Sequence, residues 1–420
     1  MRGSRAIIVW AALVLSGCSL VTTPDPVGDG GSAGHAELFV VHSLAETLSA
    51  VTIEEDGSFG AVDSDAQYLG AAANHLIAAD EALIATISGE NRLLVLDTDS
   101  LEVRRRIDFA SGSNPMESVY LGEGLVATTN LLSDTVRIDD LRGRRWDGDL
   151  PMLLEVGSAP QALLALTDGS IDGSDGTGAG DDGAGGAGGG ADTIGLLVAN
   201  TAFSTERPAE RPFGAGTLTH LRLAVDTESE PPSIEVHSRD TISLEASRYD
   251  PATEAGLNPT ALIDVPEADE GGEILVVGSG TNYGSAPAGA DDGEVVVLDR
   301  ETLAVTARLE VGGSPGSGVV RGGPGGLTLY LAGPGGIRAL SRGERGWEND
   351  VRVAYEAQAD SGALPFLSDI ERVGAMIYAA DFANNRLLAF EMADDGGLTV
   401  KEEVPTSLGP IELHSRSEPP

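Results

Sequence analysis

Apolar residues in this chain come in short runs, each closed by a polar or glycine-rich turn, and the runs recur in a fixed order. One set lines up as LFVVH (38–42), LIATI (83–87), VATTN (126–130), LLVAN (196–200), LVVGS (275–279), LYLAG (329–333) and IYAAD (377–381). A second set follows each of these: TLSAVTI, RLLVLD, TVRIDD, TLTHLRL, EVVVLD, GIRALS and RLLAFE. Many of these runs are nearly continuous rather than alternating. That pattern predicts strands covered on both faces, as when small sheets stack on one another. The short polar connections, such as 89–91 and 131–134, suit antiparallel hairpins.

A punctuation mark sets the frame. Gly-x-x-Pro occurs at 112–115, 157–160, 256–259, 312–315 and 362–365, with a degenerate copy at 407–410, and a first apolar strand follows each. Proline suits the first residue of a strand, which need not donate to the ladder. The prolines are spaced by 45 (115 to 160), 56 (259 to 315), 50 (315 to 365) and 45 (365 to 410) residues. Counting the same 45 back from Pro115 reaches Gly70, where another first strand begins without its proline. Units of about 40–50 residues with four strands each predict an all-β fold, a β-propeller of four-stranded antiparallel blades. Seven copies of each strand set predict seven blades. The chain enters at Glu37 on a second strand and finishes on a first strand at 410–414. Each end supplies what the other lacks, so 410–414 is expected to complete the blade of 37–63 and close the ring.

The motifs also carry a family resemblance. Gly-x-x-Pro, then LVAN (197–200) or LYLA (329–332), then VVVLD (295–299), then Val311-Gly312, resembles the YVTN-type propeller repeat across 37–420. That resemblance implies the fold. The family spans envelope binding proteins, surface-layer proteins and relatives of lactonases and quinoprotein subunits, so the resemblance implies no single activity.

The N-terminus changes the compartment. Arg2 and Arg5 precede an apolar run at 6–16 that has signal-peptide length and is too short to span a bilayer. Leu15-Ser16-Gly17-Cys18 resembles a bacterial lipobox, which implies a signal peptide at 1–17 and lipidation of Cys18. Ser19 after the cysteine implies, by the same resemblance, the outer membrane. Residues 18–36, rich in Pro, Gly, Asp and Ser, read as a flexible tether spanning about 20–25 Å. The propeller then occupies 37–420. Cys18 is the one cysteine, so neither an internal disulfide nor a cysteine-based zinc site is possible.

Charge narrows the partners. The formal net charge is −40, and Lys401 is the one lysine. Nucleic acid and anionic lipid surfaces are excluded as partners, because both need a basic patch. A salty habitat is compatible with such a charge, and stability is then expected to rise with salt.

The chemistry is sparse. The six histidines fall in no metal-ligating spacing, and no nucleophile elbow, P-loop or dinucleotide fingerprint stands in context. His42 and His414 are expected at opposite ends of one blade, each with local hydrogen bonds. The acidic pairs, Asp139-Asp140 among them, read as solvated turns. No cofactor is expected. The acidic Gly-rich stretch 168–193 offers Ca²⁺ as an alternative, but it lacks calcium-loop spacing and is expected to be a disordered loop. Trp146 and Trp347 are expected to pack over blade edges.

Two sets of residues remain as binding candidates. Asn130, Asn200, Ser279 and Asp381 share one column at the ends of second strands, where they line a polar pocket or cap their own turns. The segments 201–216, 239–257 and 280–293 are long connections expected on the same face as that column. They form a raised rim carrying Arg207, Arg211, Phe213, Asn282 and Tyr283. The expected function is a lipid-anchored envelope protein that acts as a non-catalytic binding or scaffold module for a protein or polysaccharide. The alternative is a propeller-lactonase-like hydrolase with a polar or metal site at the channel mouth.

Overall fold

The computed structural model of the chain describes residues 36–146, 150–167, 192–203, 214–227, 229, 231–244, 257–265, 272–280, 293–323, 326–358, 365–393 and 396–417. Seven antiparallel sheets make up the fold. Blade 1 contains β1 (Ala36–His42), β2 (Thr47–Ile53) and β3 (Phe59–Tyr68). Blade 2 is β4 (Ala73–Ala79), β5 (Ala82–Ile87), β6 (Arg92–Asp97) and β7 (Val103–Asp108). Blade 3 is β8 (Pro115–Gly122), β9 (Leu125–Asn130), β10 (Thr135–Asp140) and β11 (Met152–Glu155). Blade 4 is β12 (Pro160–Thr167), β13 (Asp192–Asn200), β14 (Thr217–Asp226) and β15 (Ser233–Ser243). Blade 5 is β16 (Pro259–Val265), β17 (Glu273–Gly278), β18 (Glu294–Asp299) and β19 (Val305–Glu310). Blade 6 is β20 (Ser317–Gly323), β21 (Gly326–Gly333) and β22 (Gly336–Gly343), with its outer position shared by β23 (Gly346–Trp347) and β24 (Arg352–Glu356). Blade 7 is β25 (Leu367–Val373), β26 (Met376–Asp381), β27 (Arg386–Met392) and β28 (Leu398–Pro405).

The last strand, β29 (Pro410–Ser417), returns to blade 1 and pairs with β1, giving the order β29-β1-β2-β3. The seam expected from the two chain ends is therefore present. The closing strand is three residues longer than the expected 410–414, so His414 sits inside it, opposite Phe39.

First strands are innermost. β29, β4, β8, β12, β16, β20 and β25 each adjoin the next around the axis, and β25 adjoins β29 again. The continuous apolar runs are explained by this geometry. A second or third strand lies between neighbouring blades and buries both faces. β5 (ALIATI) and β17 (EILVVG) are buried along nearly their whole length. Outer strands meet water instead, as in β7 with exposed Arg104, Arg105 and Arg106. Core clusters accordingly sit between blades: Leu121, Ile138, Leu163 and Leu196 of blades 3 and 4 form one.

Pro115, Pro160, Pro259 and Pro410 each open a first strand, whereas Pro315 and Pro365 stand two residues ahead of theirs. The residue just before the first strand turns left-handed at Ala72, Asn114, Ala159 and Gly409. Gly409 is required there twice over: φ is +69°, and a Cβ would lie 2.6 Å from Leu44 Cγ. One expected loop is shorter than its sequence suggested. Residues 239–243 extend β15 and pair as far as Ser243 opposite Thr217, because β14 is itself ten residues long and offers the partners.

Candidate functional site

The axis of the ring is built from bulges. Six first strands shift register against their second strand at the entry, as between Ala73 and His75, Pro160 and Ala162, or Leu367 and Asp369. The bulged residue is often polar and reaches the next blade. Asn74 Nδ2 donates to Met116 O (2.8 Å), Thr260 Oγ1 to Pro315 O (3.2 Å) and Ser368 Oγ to Pro410 O (2.7 Å). These side chains are buried, so the bonds between blades satisfy groups that would otherwise be costly to enclose.

Deeper in the same strands stands a set of ionisable groups: His75 on β4, Glu117 on β8, Asp369 and Glu371 on β25, and Glu412 and His414 on β29. The four carboxyl groups are at most 5% exposed. Asp369 Oδ2 accepts the Leu413 N–H at 2.7 Å, and Glu371 Oε1 accepts from Ser415 Oγ at 2.6 Å. Ser118 N donates to His75 Nδ1 (3.3 Å), which turns His75 Nε2 toward Glu412 Oε1 at 3.6 Å. Burial pushes Glu371 up to about 8, with the Asp369 charge adding to the shift. Burial likewise holds Glu412 well above the usual carboxylate range, reinforced by Asp369, Glu117 and Glu371. Burial pulls the His414 ring down to about 4. Other buried carboxylates each face an arginine: Asp139 with Arg137, Asp264 with Arg300, Glu294 with Arg308 and Asp381 with Arg386. Among the described residues no group of three or more His, Cys, Asp or Glu side chains is arranged to hold a metal ion.

The polar column lies where the strand alignment puts it, and its hydrogen bonds are local. Asn130 Nδ2 donates to Thr135 Oγ1 at 3.1 Å. Asn200 Nδ2 meets Val198 O, Thr217 O and Oγ1, and Thr219 Oγ1 within 3.3 Å. Ser279 Oγ accepts from Asn258 Nδ2 at 2.6 Å, and Asp381 accepts from Asn384 and Arg386. Arg207, Arg211, Phe213, Asn282, Tyr283, Cys18 and the Gly-rich stretch 168–191 lie outside the described residues. His42 bonds locally to Ser49 Oγ at 2.8 Å and also meets Thr406 Oγ1 at 3.2 Å.

One expectation is corrected. Asp139 and Asp140 are not solvated; both are 6% exposed, because the turn after β10 folds back over them. Asp140 accepts from Trp146 Nε1 at 2.7 Å and from the Arg142 and Arg144 backbone. Trp146 packs into the core between blades 3 and 4, and Trp347 packs against the core beside β22 with its Nε1 on Glu273.

The axial carboxyl groups were missed in the sequence because Glu117, Glu371 and Glu412 look like polar interruptions of apolar strands. The available signal was that each stands in a first strand, which a closed ring turns toward its axis.

These features define a seven-bladed β-propeller with an ionisable, largely sealed axis. No family model matches the chain, and no curated protein sequence matches it. Solved structures share its architecture. A "putative 6-phosphogluconolactonase" from Bacteroides uniformis is 11% identical, with 91% of this chain and 99% of that one covered and a TM-score of 0.56. A protein from Lactobacillus plantarum is 11% identical over 91% and 99%, with a TM-score of 0.53. Hydrazine synthase from Kuenenia stuttgartiensis is 14% identical over 80% and 88%, with a TM-score of 0.50. At such identities the likeness is one of fold.

Proposed function

We propose that the chain is a non-catalytic binding module of the bacterial cell envelope, lipid-anchored at Cys18 in the outer membrane, which docks a protein or polysaccharide on one face of the propeller. The supporting observation is where exposed apolar side chains fall. Among the described residues nine large hydrophobic side chains are exposed. Leu44, Tyr68, Leu132 and Leu408 sit at connections from second to third or from fourth to first strands, which share one face. The other five lie in outer strands. Three of the four gather at blade 1: Leu44 packs on Gly409, Ala45 N donates to Leu408 O (3.0 Å), and Tyr68 OH bonds Glu46 (2.8 Å). The chain enters β1 from the other face. Apolar anchors on a rigid frame are what a docking surface needs.

Photo-crosslinkers placed at Leu44, Tyr68 and Leu408 in envelopes are expected to trap one specific partner, and crosslinkers at Leu153 and Val353 none. Equal capture from both sets would remove the assignment of the face. The second reading is a propeller-lactonase-like hydrolase. It draws support from the axial carboxyl and histidine groups and from the likeness to the Bacteroides protein. Lactone turnover by the purified chain, lost on Glu412→Gln, would favour it instead.

A further inference from the structure

The strand that closes the ring is flanked by ionisable side chains on both sides. β29 lies between the inner strands β25 and β4. Asp369 and Glu371 of β25 hold Leu413 N and Ser415 Oγ, and His75 of β4 faces Glu412. Two joints farther round use neutral side chains, Asn74 onto β8 and Thr260 onto the residues entering β20, and His75 is the ionisable group that also reaches β8, through Ser118 N. Titratable chemistry is thus concentrated where the two ends of the chain meet.

We propose that β29 is a pH-governed latch: with Glu371 and Glu412 protonated the closing strand is held between β25 and β4, and ionisation of these two carboxyl groups releases it.

The surroundings of the two groups favour this. β25 presents Asp369, Glu371 and Arg372; Arg372 stabilises ionised Glu371 less than Asp369 opposes it. β4 presents His75, and β8 presents Glu117, whose charge also opposes ionisation of Glu412. β1 carries Glu37, which pairs with Arg416 of β29 at 2.9 Å, and His42, which bonds Ser49 and Thr406. β26 carries Tyr378 and Asp381, which bond the Gly57 carbonyl and Asn384 with Arg386. Arg416 is engaged by Glu37 and Asp99. His414 on β29 is held neutral above about 4 by its burial. Among the described residues, Glu412 has no cationic group in ion-pair range other than His75 at 3.6 Å.

The sign follows from linkage. Glu371 sits at about 8 in the closed ring, against an ordinary 4.5 once β29 leaves and opens it to water. A carboxyl group raised in this way favours the closed state fully below about 4.5, and that advantage is lost as pH rises toward about 8. Each proton released on opening raises the opening constant up to about tenfold per pH unit in that window. Ile411 and Leu413 are the apolar anchors that leave with β29, so the opening is local to the seam.

Hydrogen exchange on the full-length chain from pH 5 to 9, with intrinsic rates divided out, tests the latch. Opening of β29 is expected to rise on the order of a hundredfold or more between pH 5 and 8 and then level off. β13, across the ring, is expected to hold its protection. Glu371→Gln and Glu412→Gln, which mimic the protonated groups, are each expected to flatten the rise. Protection of β29 that moves in parallel with β13 overturns the proposal, as does a rise of undiminished size in both variants. If either variant fails to fold, the comparison of β29 with β13 in the natural sequence decides alone.

Discussion

Removing residues 405–420 should cost the propeller much of its stability rather than only shorten its tail. β29 contributes Ile411 and Leu413, which are 1% and 2% exposed. Burying two such side chains stabilises the fold by about 3–6 kcal/mol. Seven register pairs join β29 to β1, and each ladder bond adds on the order of 1 kcal/mol. The sum is roughly 10 kcal/mol, comparable to the entire stability of an ordinary domain. Denaturant melts of the shortened chain should show a much lower midpoint. Addition of a peptide covering 405–417 should raise it in a concentration-dependent way. A deletion variant with an unchanged midpoint and unchanged cooperativity would refute the reasoning, because β29 would then be an accessory and not the seam.

Further outcomes follow from single contacts. Ala72→Gly should stabilise the chain by about 0.5–1 kcal/mol in thermal melts, because Ala72 is partly exposed and left-handed with φ +54°. Trp146→Phe should destabilise by about 1.5–3 kcal/mol in urea melts, because Asp140 loses its indole donor in a buried setting. Asn200→Ala should lower stability by about 1–3 kcal/mol while leaving crosslinking at the rim unchanged, as its side-chain bonds stay within blade 4. The melting temperature should rise from low to molar NaCl, since a net charge of −40 repels itself and salt screens it; a flat response would remove that cause.

Blade count, strand order and the seam were all legible in the chain. Two-sided burial leaves continuous apolar runs such as those of β5 and β17, and those runs repeat at a readable spacing. The axial site was not legible. Glu371 and Glu412 are 41 residues apart (412 − 371) and meet because blade 7 and the closing strand adjoin, a relation no local spacing encodes. Asp139 and Asp140 misled for a related reason. Adjacent carboxylates at the end of a strand look solvated until the following turn folds back and covers them. Asn130 and Asn200 share a column by strand alignment, and each bonds within its own blade.

The pairing of Ala36 with Ser417 has a consequence for how the molecule can be built. Directly paired residues in antiparallel strands stand about 5 Å apart, so a linker of a few residues would join them without strain. The ring is then a circle whose opening point is arbitrary. A circular permutant joined at 36 and 417 and opened in the turn between β9 and β10 would carry the same seven blades, with the seam now covalent and the two free ends in blade 3.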